Sequence, residues 1–340
     1  MRTMDDSRML IENTLIPHAD FEQAGTRLEQ CYHYAADAVE PICIALIGES
    51  RTGKTRVLEE CEAKHPKVRT PEGLEVPILR VKTPSKPTVK SLAELMLVAL
   101  QDPKPAAGTE NAKTQRLKAL MKNVGTRMVV IDEFQHFVDK GSLKVMHHVA
   151  DWLKILVDDA RVALVVAGLP TCLAVLEQNE QLSGRFLVPV MMPRFDWRDG
   201  AQREEFIAIL GAFHESMSER FDLPDFASDE MAFRFYAGTG GLMGYLTKLL
   251  RQAVWNALDK KTRRITLEDL ALAHGQSVGM QGGVKGIESP FSRAFVVTPT
   301  EQLLTRVQQI GQTRVEVHTT NRRGRRAVDH PGVRDVLSAS

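Results

Sequence analysis

The chain has 340 residues, of which 43% are hydrophobic and 26% charged, with a formal net charge of +1. Its length predicts two folded units and a tail, and its neutral balance excludes a globally basic nucleic-acid coat, although a local basic surface is not excluded. No run approaches the roughly 18 uninterrupted apolar residues of a membrane span, and the acids Asp5, Asp6, Glu12 and Asp20 argue against a signal peptide, so a cytoplasmic location is expected.

In chain order, residues 1–40 read as an N-terminal arm with one helix from about Phe21 to Val39, closed by Pro41. An apolar strand, Ile42 to Ile47, then enters a glycine-containing loop, and the helix after it runs from Lys54 to about His65, before Pro66. A second strand is expected over Val76 to Lys82 and an amphipathic helix over Thr88 to Leu100. Residues 102–111 read as a surface loop and Ala112 to Asn123 as a helix. The continuous apolar run Met128 to Ile131 ends in Asp132 and Glu133, as a strand buried on both faces does when it delivers side chains to a site. A long helix at 142–158 and strands over Val162 to Gly168 and Phe186 to Met192 complete a strand–helix alternation. That alternation predicts an α/β unit over 41–197, a parallel sheet covered on both faces. From 198 to 278 only helical periodicity remains, over Gln202–Arg220, Ser228–Ala237, Met243–Leu258 and Thr266–His274. Residues 279–340 read as a partly flexible tail with one short helix near Thr300 to Ile310 and an arginine run at 322–326. The cysteines Cys31, Cys43, Cys61 and Cys172 form no close pair and no metal-ligand spacing, and read as reduced, buried apolar residues.

The chemistry starts at Gly48-Glu49-Ser50-Arg51-Thr52-Gly53-Lys54-Thr55, a phosphate-binding loop between a buried strand and a helix. Its glycines let backbone N–H groups face phosphates, Lys54 reaches the β- and γ-phosphates, and the Thr55 hydroxyl is the expected Mg²⁺ ligand. These eight residues and the following Arg56 are the ATP-contacting candidates. Asp132 would hold the Mg²⁺ through water, while Glu133 would orient and polarise the attacking water, so hydrolysis rather than mere binding is expected. Gln135 and His136 read as solvent-facing or core residues, or as contacts to that water. A cation supplied in trans would neutralise the transition state. Arg185 is the first candidate and Arg194 the second, each with a surface ion pair as the alternative.

Between Val76 and Ala93 stand Arg80, Lys82, Lys86 and Lys90 with no acid among them; Thr109, Lys113 and Arg116 follow. Cations beside a helix N-terminus suit DNA phosphates, and a solvated charged face is the alternative reading.

The phosphate loop in this form, Val129-Val130-Ile131-Asp132-Glu133 with Phe134-Gln135-His136, the Gln181-Leu182-Ser183-Gly184-Arg185-Phe186 segment and Gly240-Gly241-Leu242-Met243-Gly244-Tyr245-Leu246 together resemble the AAA+ regulators of DNA transposition, the TniB/TnsC family, over about residues 15–275. The resemblance implies an AAA+ P-loop three-layer fold with a helical lid at 198–278. It also implies an ATPase that assembles as a ring or filament on double-stranded target DNA, is engaged by a TniQ-like target-selection protein, and recruits a DDE transposase that triggers hydrolysis and disassembly. It places the nucleotide pocket between subunits and favours Lys90 and Thr109 as DNA-backbone contacts. Two departures stand out: Gly244-Tyr245, with Lys248 one turn on, where many AAA+ lids carry an arginine, and no polar residue at the end of the Val165–Gly168 strand, the nearest being Thr171. Both imply slow basal hydrolysis. A replication initiator or loader, or a nucleotide-gated scaffold without DNA, is the competing reading.

Overall fold

The computed structural model describes residues 7–35, 39–278 and 289–312. Its five-stranded sheet has the order β4-β5-β6-β1-β7, all neighbours parallel, from β1 (Cys43–Ile47), β4 (Ile78–Lys82), β5 (Met128–Asp132), β6 (Ala163–Gly168) and β7 (Val190–Met191). A two-stranded hairpin, β2 (Val68–Thr70) with β3 (Gly73–Glu75), stands apart from it. Every residue of β1, β5 and β6 is buried, as the alternation of strands and helices demands.

Period-two alternation sends successive residues to opposite faces. Cys43, Ala45 and Ile47 of β1, Val129 and Ile131 of β5, and Leu164 and Val166 of β6 enter one core. That core is roofed by α4 (Val89–Ala99), α5 (Glu110–Asn123) and α7 (Leu143–Ala160). Ile44, Leu46, Val130 and Val165 enter the other, roofed by α2 (Ala19–Tyr34) and α3 (Lys54–Lys64). A buried aliphatic side chain contributes roughly 1.5–3 kcal/mol against about 1 kcal/mol net for a hydrogen bond, so two-faced burial, more than ladder bonding, fixes these central strands.

Short segments link the layers: α1 (Leu10–Asn13) precedes α2, α6 (His136–Asp139) follows β5, and α8 (Leu173–Leu176) and α9 (Glu180–Ser183) lead towards β7. A third core is helical, built from α10 (Gly200–Ser218), α11 (Asp229–Thr239), α12 (Met243–Asp259), α13 (Leu267–Ser277) and α14 (Glu301–Val307).

Three expectations change. The strand expected over Phe186 to Met192 reduces to Val190–Met191 and a bridge from Phe186 to Cys43, because Pro189 has no N–H to give the ladder. The N-terminal arm is not a separate piece, since α2 covers the sheet and Ile11 of α1 lies in the helical core. Within the expected tail, Phe291, Phe295, Leu304, Val307 and Ile310 pack into that same core, with α14 near its expected place. The arginine run at 322–326 lies outside the described residues.

All four cysteines are free and buried; burial pushes the Cys31 thiol up to about 11 and those of Cys43, Cys61 and Cys172 up to about 12. No helix among the described residues is long and apolar enough to cross a membrane.

Two histidines tie stability to pH. His18 packs edge-on against Phe195 with ring centroids 5.2 Å apart, and His274 Nε2 stands 3.0 Å from the Gly238 carbonyl. Burial is the largest influence on each and holds both pKa values below 6.5, although nearby acids pull His18 up and the Gly238 bond pulls His274 up. A folded pKa below the unfolded one means that protons favour unfolding, so stability is complete above about pH 6.5 and falls as pH drops through that value. Thermal denaturation should therefore give a lower Tm at pH 5.5 than at pH 7.5, and His274→Gln, which can keep the bond to Gly238, should narrow the gap; an equal gap in the variant would exclude His274 as a cause.

Candidate nucleotide site

The phosphate loop starts where β1 runs out between two neighbouring strands. Gly48 N–H donates to Gly168 O at the end of β6 (3.2 Å), and a Cβ on Gly48 would lie 2.2 Å from Met192 O, so no larger residue fits. Gly53, at φ 105°, is the N-cap of α3, and Lys54 and Thr55 form that helix's first turn. Lys54 Nζ donates to the carbonyls of Gly48 (2.8 Å) and Glu49 (2.6 Å) inside the loop. Burial pushes its ammonium pKa down, while Glu133 and then Asp132 pull it back up.

The acids expected to act lie opposite. Thr55 Oγ1 donates to Asp132 Oδ2 at 3.2 Å, so β5 and α3 present a hydroxyl and a carboxylate to one point. Glu133 has left the strand with φ 57°, a left-handed conformation that a non-glycine residue adopts at some strain, and its N–H donates to Asp132 Oδ1 at 2.9 Å. Gln135 is buried rather than solvent-facing: its Nε2 donates to Glu133 Oε2 (2.5 Å), and its Oε1 accepts from Leu169 N–H (3.2 Å). A Cβ on Gly168 would stand 2.5 Å from Gln135 Oε1. The polar group absent from the end of β6 is thus supplied from the far side by Gln135, while Thr171 Oγ1 is enclosed with no hydrogen-bond partner among the described residues.

A cavity of about 370 Å³ joins Ser50, Arg51, Gly53, Lys54, Thr55 and Arg56 to Glu133, Gln135, Gly168 and Gly244. A second cavity of about 260 Å³ shares Gly53, Arg56 and Gly244 with it and is lined by Leu15, Ile16, His18, Phe21, Phe213, Met243, Thr247 and Arg251. A polar cavity continuing into an apolar one matches a triphosphate with its base. Sequence reasoning missed the apolar part, whose walls come from the arm, the loop, α10 and α12; no local motif marks it. Arg251 of α12 lines it, whereas Lys248 lines neither cavity.

The loop is fastened to the helical core at two points. Gly244 N–H donates to Arg51 O (2.8 Å), at an approach where a Cβ on Gly244 would meet Arg51 Cβ at 2.9 Å, and the Arg51 guanidinium carbon sits 4.6 Å from the centre of the Tyr245 ring. Arg194 holds the Glu49 carboxylate through Nε (2.9 Å) and Nη2, and its Nη1 donates to Gly240 O (3.2 Å). Arg194 is therefore a buried link between the loop and the helical core within the chain.

Arg185 also has partners in its own chain: its Nη2 pairs with Asp158 at 2.8 Å and its Nη1 donates to Gln181 O at 2.6 Å, which anchors the segment after α9 to α7 and matches the ion-pair alternative. Among the DNA candidates, Lys82, Lys86 and Lys90 are exposed, with no ion pair within 4.0 Å among the described residues, and Thr109 is the exposed N-cap of α5. Lys113 is not a surface cation: it is fully buried and donates to Glu94 (2.8 Å) and Pro105 O (2.5 Å). Arg116 is half-buried and holds Asp102 (2.5 Å) and the carbonyls of Lys104 and Ala107, which closes the 102–109 loop. Arg80 is paired with Glu62 and Glu59.

The parallel sheet, the phosphate loop at the end of β1 and the acids at the end of β5 define a P-loop ATPase of the AAA+ class. Solved structures of similar fold include the Aeropyrum pernix ORC2 protein in ADPNP–ADP complexes (TM-score 0.60, 13% identity, covering 80% of this chain and 72% of that one). Cdc6p from Pyrobaculum aerophilum (TM-score 0.58, 14% identity, 81% and 71%) and the Aeropyrum pernix ORC1 protein in complex with DNA (TM-score 0.56, 19% identity, 79% and 69%) are similar as well. No match was found among curated proteins. Residues 7–197, more than half of the chain, match the family described as Bacterial TniB protein, and the chain belongs to that family.

Lys54→Ala should lower ATP affinity by more than about 100-fold, whereas Glu133→Gln should leave affinity within about 3-fold and reduce hydrolysis by at least about 100-fold. Equilibrium binding of a fluorescent ATP analogue and phosphate release separate the two effects, and equal losses of affinity in both variants would refute the division of labour.

Proposed function

We propose that this ATPase regulates DNA transposition. With ATP it assembles as a ring or filament along double-stranded DNA, connects a TniQ-like target-selection protein to a DDE transposase, and comes apart when ATP is hydrolysed. The carrying observation is the match to Bacterial TniB protein over residues 7–197, a span that contains the phosphate loop, Asp132 and Glu133.

The site's donor chemistry fits Mg²⁺. Thr55 Oγ1 and Asp132 Oδ2 are hard oxygens 3.2 Å apart, placed so that the hydroxyl would bind the ion directly and the carboxylate would hold it through water. Bound there, Mg²⁺ would neutralise phosphate charge. Triphosphate oxygens would replace the Gly48 and Glu49 carbonyls as partners of Lys54, and N–H groups of the loop and of the first turn of α3 would face the same anion. Glu133 would accept hydrogen bonds from the attacking water and aim it at the γ-phosphorus.

In this structure one oxygen of Glu133 is already taken by Gln135. Such an arrangement suits an assembly that persists until a partner shifts Gln135, and it supports slow basal hydrolysis. The links Arg51–Gly244 and Glu49–Arg194–Gly240 give phosphate contacts at the loop a direct route to the lid. Lys82, Lys86 and Lys90 supply the exposed cations near the N-terminus of α4, and contact limited to phosphates is largely independent of sequence.

Electron microscopy of the full chain with a slowly hydrolysed ATP analogue and duplex DNA should show rings or filaments around the duplex; assembly that ignores DNA would favour a nucleotide-gated scaffold instead. The double change Lys86→Glu, Lys90→Glu should weaken duplex binding and flatten the slope of log affinity against log salt by about 0.9 per lost phosphate contact, with ATP affinity unchanged. An unaltered slope would remove these lysines from the DNA face. Gln135→Ala should alter phosphate release several-fold while ATP affinity stays within about 2-fold; unchanged turnover would deny it any hold on Glu133.

A further inference from the structure

On the sheet face covered by α2 and α3, the C-terminal ends of these two helices meet, far from the phosphate loop. Glu29 and His33 lie one turn apart near the end of α2, and His65 is the C-cap of α3. His65 Nε2 stands 2.9 Å from Glu29 Oε2, and His33 Nε2 stands 3.5 Å from the same oxygen. One ligand atom from each of the three residues lies within 4.8 Å of the others. We propose that Glu29, His33 and His65 form a binding site for a borderline transition-metal dication, represented by Zn²⁺, with a fourth position open to water.

Four observations carry the assignment. The separations are within reach of the roughly 3.4 Å between ligands about 2.1 Å from a tetrahedral ion: His33 stands at 3.5 Å from Glu29 Oε2, and His65 at 2.9 Å needs only a small opening. The Glu29 carboxylate is also short of partners on its other oxygen. Oε1 is enclosed, with no oxygen or nitrogen hydrogen-bond donor within 3.5 Å among the described residues, and its ion-pair partner Lys64 Nζ stands 3.7 Å away on a side chain 59% exposed. The imidazoles are held in place, because Tyr32 stacks on His65 at 3.7 Å and meets His33 edge-on at 5.4 Å, which leaves both Nε2 atoms turned towards the carboxylate. Finally, two helix C-termini converge here, and their carbonyl ends favour a cation.

A plain Glu29–His65 ion pair would not require the second imidazole, His33 Nε2, to face the same carboxylate oxygen. Two imidazole nitrogens with one carboxylate select Zn²⁺-like ions over Mg²⁺ or Ca²⁺, which take oxygen donors. Such an ion would join the arm helix to the far end of α3, the helix whose first turn carries Lys54 and Thr55, without touching the nucleotide.

The test uses the full chain, nucleotide-free and stripped by chelator, in millimolar Mg²⁺ to fill the oxygen-only site. Calorimetric titration with Zn²⁺ should give one equivalent per chain and raise Tm by several degrees, and Co²⁺ should show the visible bands of a four-coordinate ion. Glu29→Gln and His33→Ala should each weaken Zn²⁺ binding by more than about 10-fold and abolish the Co²⁺ bands, with far-UV circular dichroism unchanged. His33 is 64% exposed on its side chain, so its loss leaves the fold intact. Absence of stoichiometric Zn²⁺ binding, or an equivalent that survives both substitutions, would overturn the site.

Discussion

The nucleotide site depends on one close backbone approach. β1 ends between β6 and β7, and Gly48 passes so near Met192 O that a single added carbon would overlap it. With its N–H on Gly168 O, the loop has one place from which to begin its turn, and that place aims α3 across the end of β5. Thr55 then faces Asp132 because both elements leave the same edge of a sheet buried on both faces. The geometry needed for a phosphate and a divalent ion is thus a consequence of packing, set before any ligand arrives.

From that point, fastening spreads outward. Arg51 and Glu49, both inside the loop, are tied to Gly244 and, through Arg194, to Gly240, which flank the start of α12. The arm takes part as well: α2 lies on the sheet beside α3, while Ile11 sits in the helical core and Leu15, Ile16, His18 and Phe21 wall the apolar cavity. Loop, lid and arm thus share one set of contacts around the site, the arrangement that the proposed coupling of nucleotide state to assembly requires. Gln135 holds one oxygen of Glu133, the restraint through which the proposed function separates holding ATP from cutting it.

Much of this was legible along the chain. Uninterrupted apolar runs ending at Ile47 and Ile131 identified strands buried on both faces, and strands alternating with helices gave the parallel sheet. The phosphate loop and Asp132-Glu133 were readable because their chemistry depends on residue type at fixed spacing over a few positions. Helix starts were expected at about Thr88 and Ala112, and the structure begins them at Val89 and Glu110, behind capping side chains of Thr88 and Thr109. Weak signals misled where a side chain had a choice of partners: Lys113 and Arg116 read as available cations, and each is engaged by an acid and a carbonyl brought to it by folding.

The sequence by itself determined the α/β class, the nucleotide loop and the two acids, because periodicity and local motifs encode what a strand buries and what a turn can hold. Only the tertiary structure decided which charges remained exposed, that Gln135 reaches Glu133, that the arm and α12 complete an apolar cavity, and that Glu29, His33 and His65 meet. Those outcomes rest on contacts between segments distant in the chain. They are set by how whole faces pack, which no short stretch of residues specifies.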